Sequence, residues 1–248
     1  MIGVVGGMGP HAGALFLERL TALNPEARRD QDHPRVLLYS NSQVPNRVEA
    51  LVGDGPSPVP EMLASLDLLS RGGASFAAIA CNTAHAYLDE LRAGAPLPVL
   101  DMITAAARHL ARRGVRRIAL LATEGTVSSG IYQRALHAEG IAALAPDRGM
   151  QDIISSAIYD PEHGIKARSS PLSPGMLDTL AAVSRDLLRV TDAERLLIAC
   201  TDLSVAFRDP SLAALPVIDS LDTLALECLS HARSMTPADL LPSPSMLD

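Results

Sequence analysis

Lysine and aromatic residues are scarce in this 248-residue chain, which has one lysine (Lys166), no tryptophan, four tyrosines and three phenylalanines. The other basic side chains are arginines, and the formal net charge is −7. Such a chain lacks the basic surface that neutralises phosphates and the rings on which single-stranded bases stack. We therefore expect no nucleic-acid partner, and any chemistry that requires a lysine has a single candidate.

Long apolar runs and secretion signals are also absent. No stretch approaches the ~18 apolar residues of a membrane span, and the N-terminus has no basic segment typical of a secretory signal. Cys81, Cys200 and Cys228 are far apart and odd in number, so they do not form a disulfide framework. No Cys-x-x-Cys or paired-histidine spacing predicts a metal site. We expect a cytoplasmic, reduced protein with no membrane segment.

Apolar residues make up 48% of the chain and charged residues 20%, which is sufficient for a full core. Short apolar runs alternate with helical patterns, as in parallel sheets covered on both faces. Strands are predicted at 2–5, 36–39, 76–80, 98–100, 118–122, 196–199 and 216–218. Helices are predicted at 12–23, 60–71, 104–113, 130–139 and 175–188, with a long loop over 161–174 and a poorly ordered tail over 234–248.

The chain repeats itself at one spacing. Residues 2–9 resemble 118–125, residues 79–83 resemble 198–202, and residues 98–101 resemble 216–219. The three matches occur in the same order and at nearly the same offset, which indicates an internal duplication. We predict an α/β fold of two similar parallel-sheet domains, each of roughly 110–120 residues, which is a normal domain size.

The duplication places Cys81 and Cys200 at equivalent positions, each at the carboxyl end of a predicted strand. Ligands bind at this edge of open α/β sheets. Helix-starting residues follow each thiol, Asn82-Thr83 and Thr201-Asp202, and a helix N-terminus lowers the pKa of a thiol. Two thiols across a cleft can serve as general base and general acid on one carbon, which inverts its configuration. Cys228 lies in a helical pattern and is expected in the core.

Local patterns give further expectations. The glycine-rich start lacks the register of a dinucleotide-binding loop and predicts a tight strand–helix turn, with Pro10 beginning the helix. Asp101 and Asp219 are equivalent by the duplication and are expected to cap helices. His85 is interpreted chiefly as a satisfied buried group, with a direct catalytic role as the alternative.

An ordered set of motifs accompanies the two thiols. In chain order these are Gly6-Gly7-Met8-Gly9-Pro10, Arg29-Asp30-Gln31-Asp32-His33, Tyr39-Ser40-Asn41-Ser42-Gln43-Val44-Pro45-Asn46-Arg47, Gly55-Pro56-Ser57-Pro58, Cys81-Asn82-Thr83-Ala84-His85, Ala122-Thr123-Glu124-Gly125-Thr126, Gly164-Ile165-Lys166-Ala167 and Cys200-Thr201-Asp202. From residue 2 to about residue 230, the chain thereby resembles the aspartate/glutamate racemase family of cofactor-independent amino acid racemases.

The resemblance implies an active site in the cleft between two α/β domains, with Cys81 and Cys200 as the catalytic pair. It implies racemisation of an acidic amino acid, aspartate or possibly glutamate, in a homodimer that uses no cofactor and no metal. The remaining residues that it assigns to substrate binding are Met8, Gln43, Arg47, Asn82, Thr83, Thr123, Lys166 and Thr201. Among these, Arg47 and Lys166 are associated with the side-chain carboxylate of the substrate.

The resemblance also implies a discontinuous first domain, because the last elements of the family cross back to it. The predicted domains are therefore residues 1–97 plus 210–233 and residues 98–209. The sequence departs from the family pattern at Asn46, where Asp is frequent, at Ser42, where Pro is usual, and at Asp202, where Glu is usual. These changes retain both thiols and alter which substrate fits the cleft.

Three other interpretations remain open. Lys166 could form a Schiff base in a PLP-dependent racemase, although the paired cysteines would then have no role. A related enzyme of the superfamily could isomerise or decarboxylate another small dicarboxylate. The third possibility is a non-catalytic two-domain ligand-binding protein with structural cysteines.

Overall fold

Two parallel β-sheets organise residues 1–235, the part of the chain that this computed structural model describes. The predicted tail lies outside the described residues from position 236 onward. The first sheet has the order β2-β1-β3 and the second the order β5-β4-β6-β7. The strands are β1 (Ile2–Gly6), β2 (Val36–Ser40), β3 (Phe76–Ile79), β4 (Arg117–Ala122), β5 (Ala142–Leu144), β6 (Arg195–Ala199) and β7 (Val217–Asp219).

Helices and 3-10 turns connect the strands. The α-helices are α1 (Pro10–Ala22), α2 (Arg47–Val52), α3 (Val59–Arg71), α4 (Leu88–Gly94), α5 (Met102–Arg112), α6 (Glu124–Ser129), α7 (Ile131–Ala138), α8 (Arg148–Tyr159), α9 (Pro174–Thr191), α10 (Thr201–Ala206) and α11 (Ser220–Ser234). The 3-10 turns are Asp30–Asp32, Thr83–Tyr87 and Pro210–Leu212. Within residues 1–235, every helix is too short or too polar to cross a bilayer.

Most predicted strands are confirmed, but one does not form, and the sequence analysis missed one strand and several helices. Residues 98–100 do not form a strand, because only Val99 bridges Ala77 at the open edge of β3. The sequence analysis missed β5, a half-exposed Ala-Ala-Leu edge strand without β-branched residues. It also missed α8, whose glycine and serines are weak helix formers, and the short helices α2 and α6.

The two sheets are built alike. Val99 lies beside β3 as β7 lies beside β6, so the order of neighbours is the same in both halves. The helices that follow these segments then cross over: α5 packs against α7 and α11, and α11 packs against α1 and α5. The predicted domain boundaries stay a prediction, with α11 beside the first half and β7 paired in the second sheet.

Several helix ends form as predicted. Pro10 begins α1 directly after the glycine-rich turn. The Asp101 carboxylate accepts hydrogen bonds from the backbone N–H groups of Ile103 and Thr104 at the start of α5. The Asp219 carboxylate accepts one from Leu221 N–H at the start of α11. These caps satisfy donors that the first helical turn leaves free, and so fix where each helix begins.

The turn after β1 requires glycine at position 7. Gly7 has φ +91°, and a Cβ added there would lie 2.3 Å from the backbone carbon of Asn41. Gly114 also has a positive φ, +73°, but an added Cβ would meet nothing within 4 Å. A side chain at Gly114 therefore meets only the strain of a positive φ, whereas a side chain at Gly7 meets the same strain and a steric clash.

We predict that Gly7→Ala destabilises the fold more than the matched control Gly114→Ala. The control costs about 1–2 kcal/mol for the left-handed backbone, whereas Gly7→Ala adds an overpacking cost of about 1–3 kcal/mol. Urea unfolding midpoints at constant m-value measure both changes. Equal destabilisation by the two substitutions would contradict the steric argument.

Candidate active site

The carboxyl ends of the central strands of both sheets border one narrow cavity. Parallel strands end at the same edge of a sheet, so the loops after β1, β3, β4 and β6 converge there. The lining residues are Met8, Asn46, Arg47, Cys81, Asn82, Thr83, Thr123, Tyr159, Lys166, Cys200, Thr201 and Asp202. Nine of the ten predicted site residues are thus brought together. The exception is Gln43, which is exposed and does not line the cavity, so its substrate contact stays a prediction.

Cys81 lies in the turn that follows β3 and is held by His85. The Nδ1 atom of His85 lies 2.9 Å from the carbonyl oxygen of Cys81, and Met102 N–H donates to His85 Nε2 at 3.2 Å. Because Nε2 accepts a hydrogen bond, the proton of the neutral ring is on Nδ1, and this N–H donates a hydrogen bond to the backbone carbonyl oxygen of Cys81. Burial lowers the pKa of His85, which favours this neutral form. His85 therefore positions the turn and does not line the cavity.

Cys200 is the N-cap residue of α10, and its thiol environment differs from the expected one. Burial, and then the Asp202 carboxylate, raise the pKa of Cys200 to about 12. Lys166 and the backbone N–H groups of Leu203 and Asp202 act in the opposite direction but do not outweigh burial. The expectation of a lowered pKa at this helix N-terminus is therefore wrong for Cys200, because α10 is short and the thiol is only 5% exposed.

A hydrogen bond connects the two cysteine turns. The hydroxyl of Thr201, the residue after Cys200, donates to the carbonyl oxygen of Ala80, the residue before Cys81, at 3.2 Å. Both threonine and carbonyl are buried. This bond fixes the relative position of the two turns, and so of the two thiols.

Three buried hydroxyls form a second connection between the halves. Thr83 Oγ1 lies 2.9 Å from Thr123 Oγ1 and 3.0 Å from Thr126 Oγ1, and the last two oxygens are 3.0 Å apart. Thr123 follows β4 and caps α6 by accepting from Thr126 N–H at 3.2 Å. Two of these hydroxyls, those of Thr83 and Thr123, belong to residues that line the cavity.

Arg47 is partly committed to the walls of the site. Its terminal nitrogens donate to the carbonyl oxygens of Val44 at 3.1 Å, Pro45 at 2.9 Å and Met8 at 3.0 Å. The buried Nε atom has no hydrogen-bond partner among residues 1–235. Arg47 thus joins the loops after β1 and β2, and these three bonds leave Nε–H and one terminal N–H unused.

Lys166 lies at the cavity, but it is already paired. Its Nζ atom is 2.7 Å from Oδ2 of Asp202, a carboxylate whose side chain is only 8% exposed. The same Nζ lies 5.8 Å from the centre of the Tyr159 ring, within cation–π range. Any anionic group that binds Lys166 therefore competes with Asp202.

Tyr159 is a lining residue that the sequence analysis missed. It ends α8, immediately before the loop that carries Lys166. Burial, and then the charges of the two thiols and Asp202, raise the pKa of Tyr159, so the phenol keeps its proton at neutral pH. The sequence contained one signal that could have identified Tyr159 as a site residue: it is one of few aromatic residues and lies close in the chain to the single lysine.

The donors of the cavity suit an organic anion. Residues 1–235 contain no cluster of three or more His, Cys, Asp or Glu side chains arranged to hold a metal ion. Hydroxyl, amide, guanidinium and ammonium groups instead surround the two thiols. Such an arrangement can bind carboxylates by hydrogen bonds while the thiols transfer protons.

Comparisons with known proteins agree on one family. The model of the Asp/Glu/Hydantoin racemase family matches residues 5–228. The chain is 28% identical over 239 residues to the broad specificity amino-acid racemase RacX of Bacillus subtilis, covering 93% of this chain and 97% of that protein. These matches span nearly the whole described chain, including both cysteine turns.

Solved structures show the same fold. The aspartate racemase of Picrophilus torridus has a TM-score of 0.81 and 33% sequence identity, with 96% of each chain covered. An aspartate racemase homologue from Pyrococcus horikoshii has a TM-score of 0.71 and 20% identity, covering 94% of this chain and 99% of that one. At 20% identity, the second match supports only the similarity of the fold.

We predict that Asp202→Asn lowers the pKa of Cys200, because removing the carboxylate removes a charge that favours the neutral thiol. Lys166→Ala has the opposite sign, because the ammonium favours the thiolate. The rate of iodoacetamide alkylation reports the thiolate fraction, and a shift of one pKa unit changes it about tenfold.

The measurement uses a Cys81→Ala/Cys228→Ala background, in which Cys200 is the only thiol. At fixed alkaline pH, Asp202→Asn should accelerate alkylation and Lys166→Ala should slow it. Changes of the same sign in both variants would contradict the electrostatic assignment. They would mean that the substitutions alter the access of iodoacetamide to Cys200, and not the charge beside its thiol.

Proposed function

The chain belongs to the Asp/Glu/Hydantoin racemase family, and from this premise we propose that it racemises an acidic amino acid through Cys81 and Cys200. The chain is an amino acid racemase. The observation that carries the two-cysteine mechanism is the convergence of both thiols, from corresponding turns of two similar sheets, on one cavity.

The reaction is a proton exchange at the α-carbon. One cysteine, as thiolate, removes the Cα proton, and the electron pair left on Cα is delocalised into the α-carboxylate. The other cysteine, as thiol, donates its proton to the opposite face of Cα. The first sulfur is then protonated and the second is the thiolate, so the reverse reaction uses the same groups with exchanged roles.

Cys200 is suited to be the proton donor of the resting site. Its raised pKa keeps the thiol protonated before substrate binds. In that protonation state Cys81 is the base for one enantiomer, and Cys200 supplies the proton to the other face. The opposite direction requires a Cys200 thiolate, which Lys166 favours and Asp202 opposes.

The charges of the cavity support an acidic substrate. Arg47 and Lys166 are cationic, and Asp202 is the one carboxylate among the lining residues. Aspartate carries two carboxylates and one ammonium, so its net charge complements this set. We propose aspartate as the first substrate and glutamate as the second. The broad specificity of the Bacillus subtilis relative makes a wider substrate range the alternative.

Solvent exchange tests the proposed mechanism. Wild-type protein in D₂O should incorporate deuterium at Cα of L- and D-aspartate, and the product should become racemic. Cys81→Ala and Cys200→Ala should each lower the racemisation rate at least about 100-fold, the usual contribution of a general acid or base. Cys228→Ala is the matched control and should retain activity, because Cys228 is buried in α11 away from the cavity.

Two outcomes would contradict the proposal. One is the absence of Cα exchange with any amino acid, while a dicarboxylate without an amino group is converted or merely bound. The other is a visible absorbance band that borohydride bleaches, with activity that depends on Lys166 and not on the cysteines, as PLP chemistry requires.

We predict that Lys166→Ala raises KM for aspartate roughly tenfold or more, the scale of one lost charged hydrogen bond. Arg168→Ala is the matched control, because it removes a cation two residues away in the same loop without touching the cavity. Steady-state kinetics and thermal unfolding of both variants separate binding from folding. An unchanged KM in Lys166→Ala would remove this residue from the substrate contacts.

Cytoplasmic location and a homodimer complete the proposal. Unpaired thiols support a reducing compartment, and all three cysteines are free in this structure. The homodimer rests on the family resemblance, and sedimentation or light scattering measures it directly.

A further inference from the structure

Tyr132 is a fully buried tyrosine that contacts the active site from the second half of the chain. It lies in α7, and its hydroxyl donates to Oδ1 of Asn82 at 2.5 Å. Asn82 follows Cys81 in the first half and is 1% exposed. This buried side-chain contact therefore crosses between the halves and ends one residue from a proposed catalytic thiol.

The contact determines which end of the Asn82 amide can face a ligand. Oδ1 is occupied by Tyr132, whereas Nδ2 is buried and has no hydrogen-bond partner among residues 1–235. A buried amide donor without an acceptor is destabilising. Asn82 also lines the cavity. The Nδ2 group thus requires an acceptor, and a substrate carboxylate provides one.

The phenol of Tyr132 is the donor in this contact. Burial raises the pKa of Tyr132 far above neutral pH, so its oxygen keeps the proton that Asn82 Oδ1 accepts. With Oδ1 accepting from the phenol, Nδ2 is the amide atom left without a partner on the other side of the group.

We propose that Tyr132 is a positioning residue that fixes the Asn82 amide with Nδ2 toward the α-carboxylate of the substrate. The proposal rests on the racemase function described above. Negative charge grows on that carboxylate as Cα loses its proton, so a fixed donor stabilises the transition state more than the bound substrate. Without the Tyr132 hydroxyl, the amide can rotate and present its oxygen to the same carboxylate.

A double-mutant cycle tests the coupling between the two residues. The variants are Tyr132→Phe, Asn82→Ala and the double substitution, with kcat and KM measured for both enantiomers of aspartate. Tyr39→Phe is the matched control: it removes a tyrosine hydroxyl from β2, outside the cavity, and should leave kcat/KM unchanged. Circular dichroism at the assay temperature verifies that each variant is folded.

The expected result is strong non-additivity. Tyr132→Phe should lower kcat/KM about tenfold or more when Asn82 is present, and less than about threefold when Asn82 is alanine. A purely structural tyrosine would cause the same factor in both backgrounds, and that result would overturn the proposal. So would wild-type kinetics in Tyr132→Phe.

Asn82→Asp gives a second test that does not depend on Tyr132 variants folding. The carboxylate can still accept from Tyr132, but it replaces the Nδ2 donor with a negative oxygen. If Nδ2 faces the substrate carboxylate, Asn82→Asp should be less active than Asn82→Ala because of charge repulsion. Activity equal to or above that of Asn82→Ala would mean that the amide oxygen faces the substrate, and would overturn the assigned orientation.

These outcomes are separable from failure of the proposed function. If wild-type protein exchanges no Cα proton, the racemase mechanism itself fails. If it racemises aspartate and the cycle is additive, only the role of Tyr132 is wrong.

Discussion

The hydrogen bond from the Thr201 hydroxyl to the Ala80 carbonyl joins the two turns on which the proposed chemistry depends. One turn follows the buried strand β3 and the other follows β6, and each carries one cysteine. The strands of each sheet are parallel, and the residues that follow β3 and β6 line the same cavity. The hydrogen bond of Thr201 joins the residues directly beside the two thiols. The hydroxyl cluster of Thr83, Thr123 and Thr126 adds a second connection between the halves.

The interior of the site opposes ready ionisation of Cys200. Burial excludes water from the thiol and raises its pKa, and the neighbouring Asp202 carboxylate adds to this effect. Lys166 counteracts the carboxylate with which it is paired. The ion pair therefore affects the protonation of Cys200. It also means that the substrate carboxylate that we propose for Lys166 would compete with Asp202.

Much of the architecture followed from local pattern. Solid apolar runs predicted six of the seven strands, and Asp101, Asp219 and Pro10 marked three helix starts that the structure confirms. The edge strand β5 and the helix α8 escaped prediction because their weak intrinsic propensities are compensated by tertiary packing. The strand predicted at 98–100 does not form, because the chain leaves the sheet for α5 after the single bridge at Val99.

The sequence alone determined the two-sheet parallel architecture, the equivalence of Cys81 and Cys200 and most of the cavity lining, because strand ends and repeated motifs are local features. Only the tertiary structure decided the pKa of Cys200, the pairing of Lys166 with Asp202 and the contact of Tyr132 with Asn82. Those properties depend on burial and, for the pairs Lys166–Asp202 and Tyr132–Asn82, on contacts between residues that are 36 and 50 positions apart in the chain. No local pattern encodes them, because burial and contacts between distant residues exist only in the packed tertiary structure.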